Sequence, residues 1–230
     1  MVKSLLCCLA LACTGGILLA QSKSVPAEYT FKVGVTYEMK MEEGKTNDMV
    51  FWFSNADYSG VGMGEQKGMM MVYDMGRKIM VTFMEAQKMY MVMDMDKMRQ
   101  KAGIAEQDTE EAAKKAAKDI KITKTGKTET ILGYKCDQYE VLSKSNRSLI
   151  WVTTELGSGF GNLMKNLSLM MRGAAGGFGE AGGIASGVML KMEGTDLSTH
   201  KSYSLTAKSV NKQGMVIQTA GYRAMNMPGQ

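Results

Sequence analysis

A chain of 230 residues with 45% hydrophobic and 22% charged side chains is long enough for one sizeable core, or two small ones, and too apolar for wholesale disorder. Its net charge of +5 is spread along the chain, with no Arg-rich block interleaved with aromatics, which argues against nucleic-acid binding. The unusual number is methionine, 24 residues, against 2 prolines and a single histidine.

Lys3 is the only charged residue ahead of an apolar run from Leu5 to Ala20. A basic start, an apolar middle and a small closing residue predict a signal peptide over residues 1–20, cut after Ala20. Residues 21–230 are then expected as a single exported β-rich domain, periplasmic or secreted. The run is too short for a spanning helix and no basic flank follows it, so no membrane span is expected in the mature chain. Lipid anchoring at Cys13 is the rival reading. The residues ahead of it, Ala10, Leu11 and Ala12, lack the leucine favoured three positions upstream, and the apolar run continues past Cys13. A free product is therefore preferred. Cys7, Cys8 and Cys13 leave with the leader, so Cys136 is alone, without a disulfide, and reads as a small buried strand residue.

From residue 28 to 42 the side chains alternate strictly. Tyr29, Phe31, Val33, Val35, Tyr37, Met39 and Met41 share one parity, and polar or small residues hold the other. This predicts one long strand with a wet face and a buried face. Further strands are predicted over Met49–Ser54, Gly68–Tyr73, Lys78–Met84 and Lys88–Asp94, the first two apolar on both parities. Asp57 to Gly64 and Asp74 to Gly76 read as turns. Strands at such short spacing form an antiparallel meander.

The pattern then changes to a helical stretch of about 94–119. A turn is expected near Lys97–Lys101, interrupted at Gly103, and a helix over Asp108–Asp119 with a capping-box-like start. Strands resume over Lys121–Lys124, Glu129–Leu132, Tyr134–Leu142 and Ser148–Thr153, with breaks at Thr125–Lys127 and Gly133. A second helix is predicted over residues 160–171, where Phe160, Leu163, Met164, Leu167, Met170 and Met171 fall on one face. A Gly- and Ala-rich connection, 173–187, follows. Val188–Glu193, Ser202–Asn211 and Gly214–Thr219 close the chain as strands. The fold class expected is mainly β (α+β).

Enzyme templates fail in turn, and no catalytic residue is expected. The Gly-rich segment lacks the Gly-Lys-Ser/Thr ending of a phosphate loop. One mature cysteine and His200 cannot build a structural zinc site or a Cys–His pair. Asp94 with Asp96, and Glu110 with Glu111, read as solvated carboxylates rather than acid–base couples. Asn146-Arg147-Ser148 and Asn166-Leu167-Ser168 match the glycosylation sequon, a short and frequent pattern.

Three readings of the methionines stand, in descending order. They fill an irregular core; they line a re-packable cavity for apolar ligands; or their thioethers hold Cu(I). In the second reading a concave sheet lined by Met39, Met41, Met80, Met89, Met91 and Met93 is covered by the 160–171 helix through Leu163, Met164 and Leu167. No metal or cofactor is expected.

The stretch Thr125-Gly126-Lys127-Thr128-Glu129-Thr130-Ile131-Leu132-Gly133-Tyr134-Lys135-Cys136, with Tyr139 and the Trp151-Val152-Thr153 strand, resembles the exported bacterial family called domain of unknown function 4412. The Tyr-rich first strand and Gly221 to Met225 are similar too. The resemblance implies a fold like that of lipoprotein carriers: a curved antiparallel sheet or half-open barrel with two helical segments covering the concave side. It implies that the Gly-Tyr-Lys-Cys turn joins two adjacent strands. The family has no assigned activity, so no functional residue carries over. The expected function is a non-enzymatic, exported cell-envelope binder of lipid or acyl groups. The alternatives are a structural or protein-interaction module with a partner in the envelope and, more distantly, a copper-binding protein.

Overall fold

The computed structural model describes residues 23–41, 44, 46–63, 68–101, 120–157 and 187–225. The expected leader (1–20), the helices at 108–119 and 160–171, and all but the last residue of the Gly-rich connection lie outside the described residues.

The meander predicted for the first half is present: β2 (Val33–Met41), β3 (Thr46–Phe53), β4 (Tyr58–Met63), β5 (Met69–Asp74), β6 (Ile79–Met84) and β7 (Met89–Asp94). A seven-residue helix, α1 (Met95–Lys101), follows. The second half supplies β8 (Lys121–Ile131), β9 (Tyr134–Leu142), β10 (Asn146–Thr153), β11 (Val188–Asp196) and β12 (Ser202–Asn211). These eleven strands and a two-residue strand, β14 (Arg223–Ala224), form one twelve-stranded sheet in the order β14-β7-β6-β5-β4-β3-β2-β12-β11-β10-β9-β8. Every pairing is antiparallel except that of β14 with β7. A separate two-stranded sheet pairs β1 (Glu28–Phe31) with β13 (Met215–Gln218).

The sheet is open and strongly curved. β2 and β9 are four steps apart in the strand order. A flat sheet would hold them about 19 Å apart at ordinary strand spacing. Yet Tyr37 on β2 and Cys136 on β9 are both fully buried in one cluster. Burial and the nearby Cys136 thiol push the Tyr37 hydroxyl above its ordinary value. That hydroxyl donates to the Met189 carbonyl of β11 at 2.5 Å.

Three sequence expectations are corrected. The long strand over 28–42 is two strands, broken at Lys32, whose amide donates to the Phe53 carbonyl. Tyr29 and Phe31 consequently pack on the opposite side of the sheet from Val35 and Tyr37. Second, the turn read over Asp57–Gly64 is β4. Gly60 serves close packing: a Cβ there would meet the Met70 methyl and crowd the Phe31 ring. Third, Thr125–Lys127 is not a break but a bulge within β8, with Gly126 at φ +83°.

Leu132 and Gly133, both at positive φ, form the two-residue turn joining β8 to β9. Cys136 is free and fully buried. Burial pushes its thiol up to about 11, so it is an inert packing residue. His200 is exposed beside the start of β12.

The N-terminal segment is latched to α1. Asp94 Oδ1 accepts from the Asp96 and Lys97 amides and caps the helix. Lys23 Nζ reaches Asp94 at 3.1 Å and Asp96 at 2.8 Å. Against partial burial, the hydrogen bonds from Lys23 and from the amides hold the Asp94 carboxyl below its usual value, and Lys23 holds Asp96 down as well. A lowered folded value means that the latch contributes above the ordinary carboxylate range and is lost as pH falls through the lowered values. Lys23→Ala is therefore expected to speed amide exchange at Asp96 and Lys97 several-fold at neutral pH. Once the pH has fallen below both lowered values, so that the carboxyls are protonated, variant and wild type should exchange alike. Equal rates at neutral pH would show that the latch is idle.

Candidate functional site: a methionine-floored sheet face

Register decides which side chains share a face. On the inner side of β3–β7 three cross-strand rows run side by side. One holds Phe53, Ser59, Tyr73, Met80 and Met93; the next holds Phe51, Val61, Met71, Thr82 and Met91. In the third, Met69 pairs with Met84, which pairs with Met89, and Met49 lies at its β3 end. None of these positions carries a charge.

Most of the first two rows belongs to the core, with Phe51, Val61 and Thr82 of the second row 3–4% exposed, and exposure rises at Met71, on β7 and in the third row. Phe53, Ser59, Tyr73 and Met80 are 3–7% exposed. Met71, Met91 and Met93 are half-buried, as are Met49, Met84 and Met89, while Met69 reaches 38%. The result is an apolar face with a buried centre, bordered by half-buried thioethers at Met71, on β7 and along the third row that are able to re-pack.

The opposite side of the same strands is closed. β1 and β13 lay Tyr29, Phe31 and Ile217 over Val72, Ile79, Val81 and Phe83. The Tyr29 ring meets Tyr58 edge-on at 5.0 Å, and Phe31 meets Tyr58 at 5.5 Å. The Tyr29 hydroxyl donates to buried Asp74 at 3.1 Å. This explains why β3 and β5 read as apolar on both parities.

Of the candidate residues, Met80, Met89, Met91 and Met93 come together on β6 and β7, with Met80 opposite Met93. Met39 is half-buried on the same face of β2, four steps from β6. Met41, at the far end of β2, is 52% exposed and stands apart from the band. Leu163, Met164 and Leu167 lie outside the described residues. Sequence reading passed over Met49, Met71 and Met84; the register of β3, β5 and β6 was the signal that places them. It also passed over Ser59, because β4 had been read as a turn.

A concavity of about 540 Å³ lies on the outer face of the other half of the sheet, lined by Lys40, Met41, Arg147, Leu149, Glu193 and Ser204 among others. Its charges are paired: Lys40 with Glu38 at 2.8 Å, Arg147 with Glu140 at 2.8 Å, and Glu193 with Lys191 at 3.1 Å. An open, ion-paired groove does not suit an apolar ligand. Its residues come from four strands distant in sequence, so only the pairing order reveals it.

Asn146 is 3% exposed, so the folded protein presents no glycan acceptor there. Among the described residues no three His, Cys, Asp or Glu side chains converge as metal ligands. Also among them, no helix is long and apolar enough to cross a membrane.

The model of the family Domain of unknown function (DUF4412) matches residues 31–169, more than half of the chain. The chain belongs to this family. The DUF4412 match takes in the whole methionine face, from β2 to β7, and stops short of β11–β14, which complete the sheet. Comparison with curated proteins finds no match. Among solved structures the chain is similar to PNGF-II, at 14% identity and a TM-score of 0.42, over 86% of this chain and 31% of that one. It therefore spans about a third of the PNGF-II chain. It is also similar to a LolA superfamily protein from Nitrosomonas europaea (10% identity, TM-score 0.27, 82% of this chain and 88% of that one). A DUF1329 family protein from Desulfovibrio piger is similar too, at 8% identity and a TM-score of 0.26, over 79% of this chain and 86% of that one.

Proposed function

We propose that this member of the DUF4412 family is an exported, non-enzymatic binder of an apolar ligand, a lipid or acyl group, held on the inner face of β3–β7. One observation carries the reading: on the same five strands one face is sealed by β1 and β13, while the other presents a charge-free band of half-buried thioethers. An ordinary core would bury that band, and an ordinary surface would charge it. Methionine has three rotatable bonds and a polarizable sulfur, so such a face adapts to chains of different shape at little packing cost. Export is supported by the leader-like first twenty residues.

The test is mass spectrometry of the full chain, expressed with its leader and purified without detergent. Lipid is expected to co-purify at a defined stoichiometry and to be lost on organic extraction. A protein that is reproducibly empty, and that takes up no acyl probe when offered one, ends the proposal.

A further inference from the structure

The row nearest the core contains a polar flaw. Ser59 is 3% exposed, and its hydroxyl oxygen has no hydrogen-bond partner. Directly across the ladder stands Tyr73, 7% exposed, whose hydroxyl meets, among the described residues, the Met71 sulfur at 4.0 Å. A thioether is a weak acceptor. Buried hydroxyls are normally satisfied, and one left unpaired is costly enough to need a reason. The unpaired Ser59 hydroxyl and the Tyr73 hydroxyl, held by a thioether sulfur, lie side by side on the face assigned to the ligand. Paired residues on one face have Cβ atoms about 5 Å apart, so the short serine and the long tyrosine offer donors at two depths.

We infer that the ligand carries an uncharged oxygen group, an ester carbonyl or a hydroxyl, which Ser59 and Tyr73 bind while its chain lies over the methionine rows. The inference rests on the apolar-ligand reading above and narrows it. The charge pattern disfavours a carboxylate: among the described residues no inner-face position of β3–β7 is Lys or Arg, so these strands offer an ionised head no countercharge. The chemistry is that of a neutral acyl ester rather than a free fatty acid.

Three probes separate the possibilities. N-phenyl-1-naphthylamine, which lacks oxygen, reports on the apolar face alone by its fluorescence. 1-Monodecanoylglycerol, kept below its micelle concentration, and decanoate at about pH 8, where it is ionised, then compete for the face. The glycerol ester is expected to displace the dye with an affinity about tenfold or more above that of decanoate, as two neutral hydrogen bonds would supply. A Ser59→Ala/Tyr73→Phe double variant should lose about that tenfold for the ester and keep its dye affinity. Without ligand, Ser59→Ala should melt no lower than wild type, since it removes an unsatisfied group. Dye binding without an ester preference, or an ester preference that survives the double variant, overturns this inference and leaves the apolar-ligand reading standing. Failure of the dye to bind overturns both.

Discussion

Phe31→Ala is expected to destabilise the protein by about 3–5 kcal/mol, the range for truncating a fully buried phenylalanine. Phe31 is 2% exposed. Its ring meets Tyr58 at 5.5 Å and Trp52 at 6.4 Å, and it fills the notch left by Gly60. The flanking rings are held by β3 and β4, so the gap cannot collapse readily and the cost should fall toward the upper end. A domain's whole stability is about 5–15 kcal/mol, so the loss would move the urea midpoint strongly. Val216→Ala, at a β13 side chain 53% exposed, should leave the midpoint almost unchanged. A Phe31→Ala effect below about 1 kcal/mol would mean that β1 and β13 do not seal the outer side of β3–β7.

Met91→Glu is expected to abolish apolar-ligand binding while sparing the fold. Met91 is half-buried beside Thr82, on a face without countercharges. A carboxylate there either stays hydrated, blocking the chain, or is desolvated when ligand arrives. A penalty of about 2 kcal/mol or more weakens binding at least about thirtyfold. Differing exposure supplies the controls. Met80→Glu, at 7% exposure, buries an unpaired charge and should unfold the protein. Met41→Glu, at 52% exposure, should change neither stability nor affinity. Dye fluorescence and urea unfolding on the three variants together read this out. Equal behaviour of Met91→Glu and Met41→Glu would show that the β7 methionines do not face the ligand.

Strands were legible both where one face is wet and where both faces are apolar, as in β5 and β6. β9 and β12 have the bounds that alternation predicts, Tyr134–Leu142 and Ser202–Asn211. Cys136 is buried in β9 as read. β4 was missed because glycine is read as a turn former, and the neighbours that require Gly60, Met70 and Phe31, are known only once strands are paired. The split at Lys32 was hidden for a related reason. Alternation continues unbroken through it, so nothing local reports that Tyr29 and Val35 face different cores.

The candidate site was legible in kind and not in place. Period-two spacing put Met89, Met91 and Met93 on one face, but could not say that Met80 joins them, that Met41 stands apart, or that Ser59 and Tyr73 lie alongside. Such adjacency is a property of pairing between strands, which spacing along one strand does not contain.

What the amino-acid order determined unaided was therefore the local periodicity: most of the strands, the break at Gly133, and the charge-free character of the methionine segments. Tertiary structure alone decided that the same meander has one face closed by β1 and β13 and the other bordered by half-buried thioethers. The reason is physical. Side-chain direction follows from backbone geometry within a strand, whereas burial depends on which distant segment arrives to cover it.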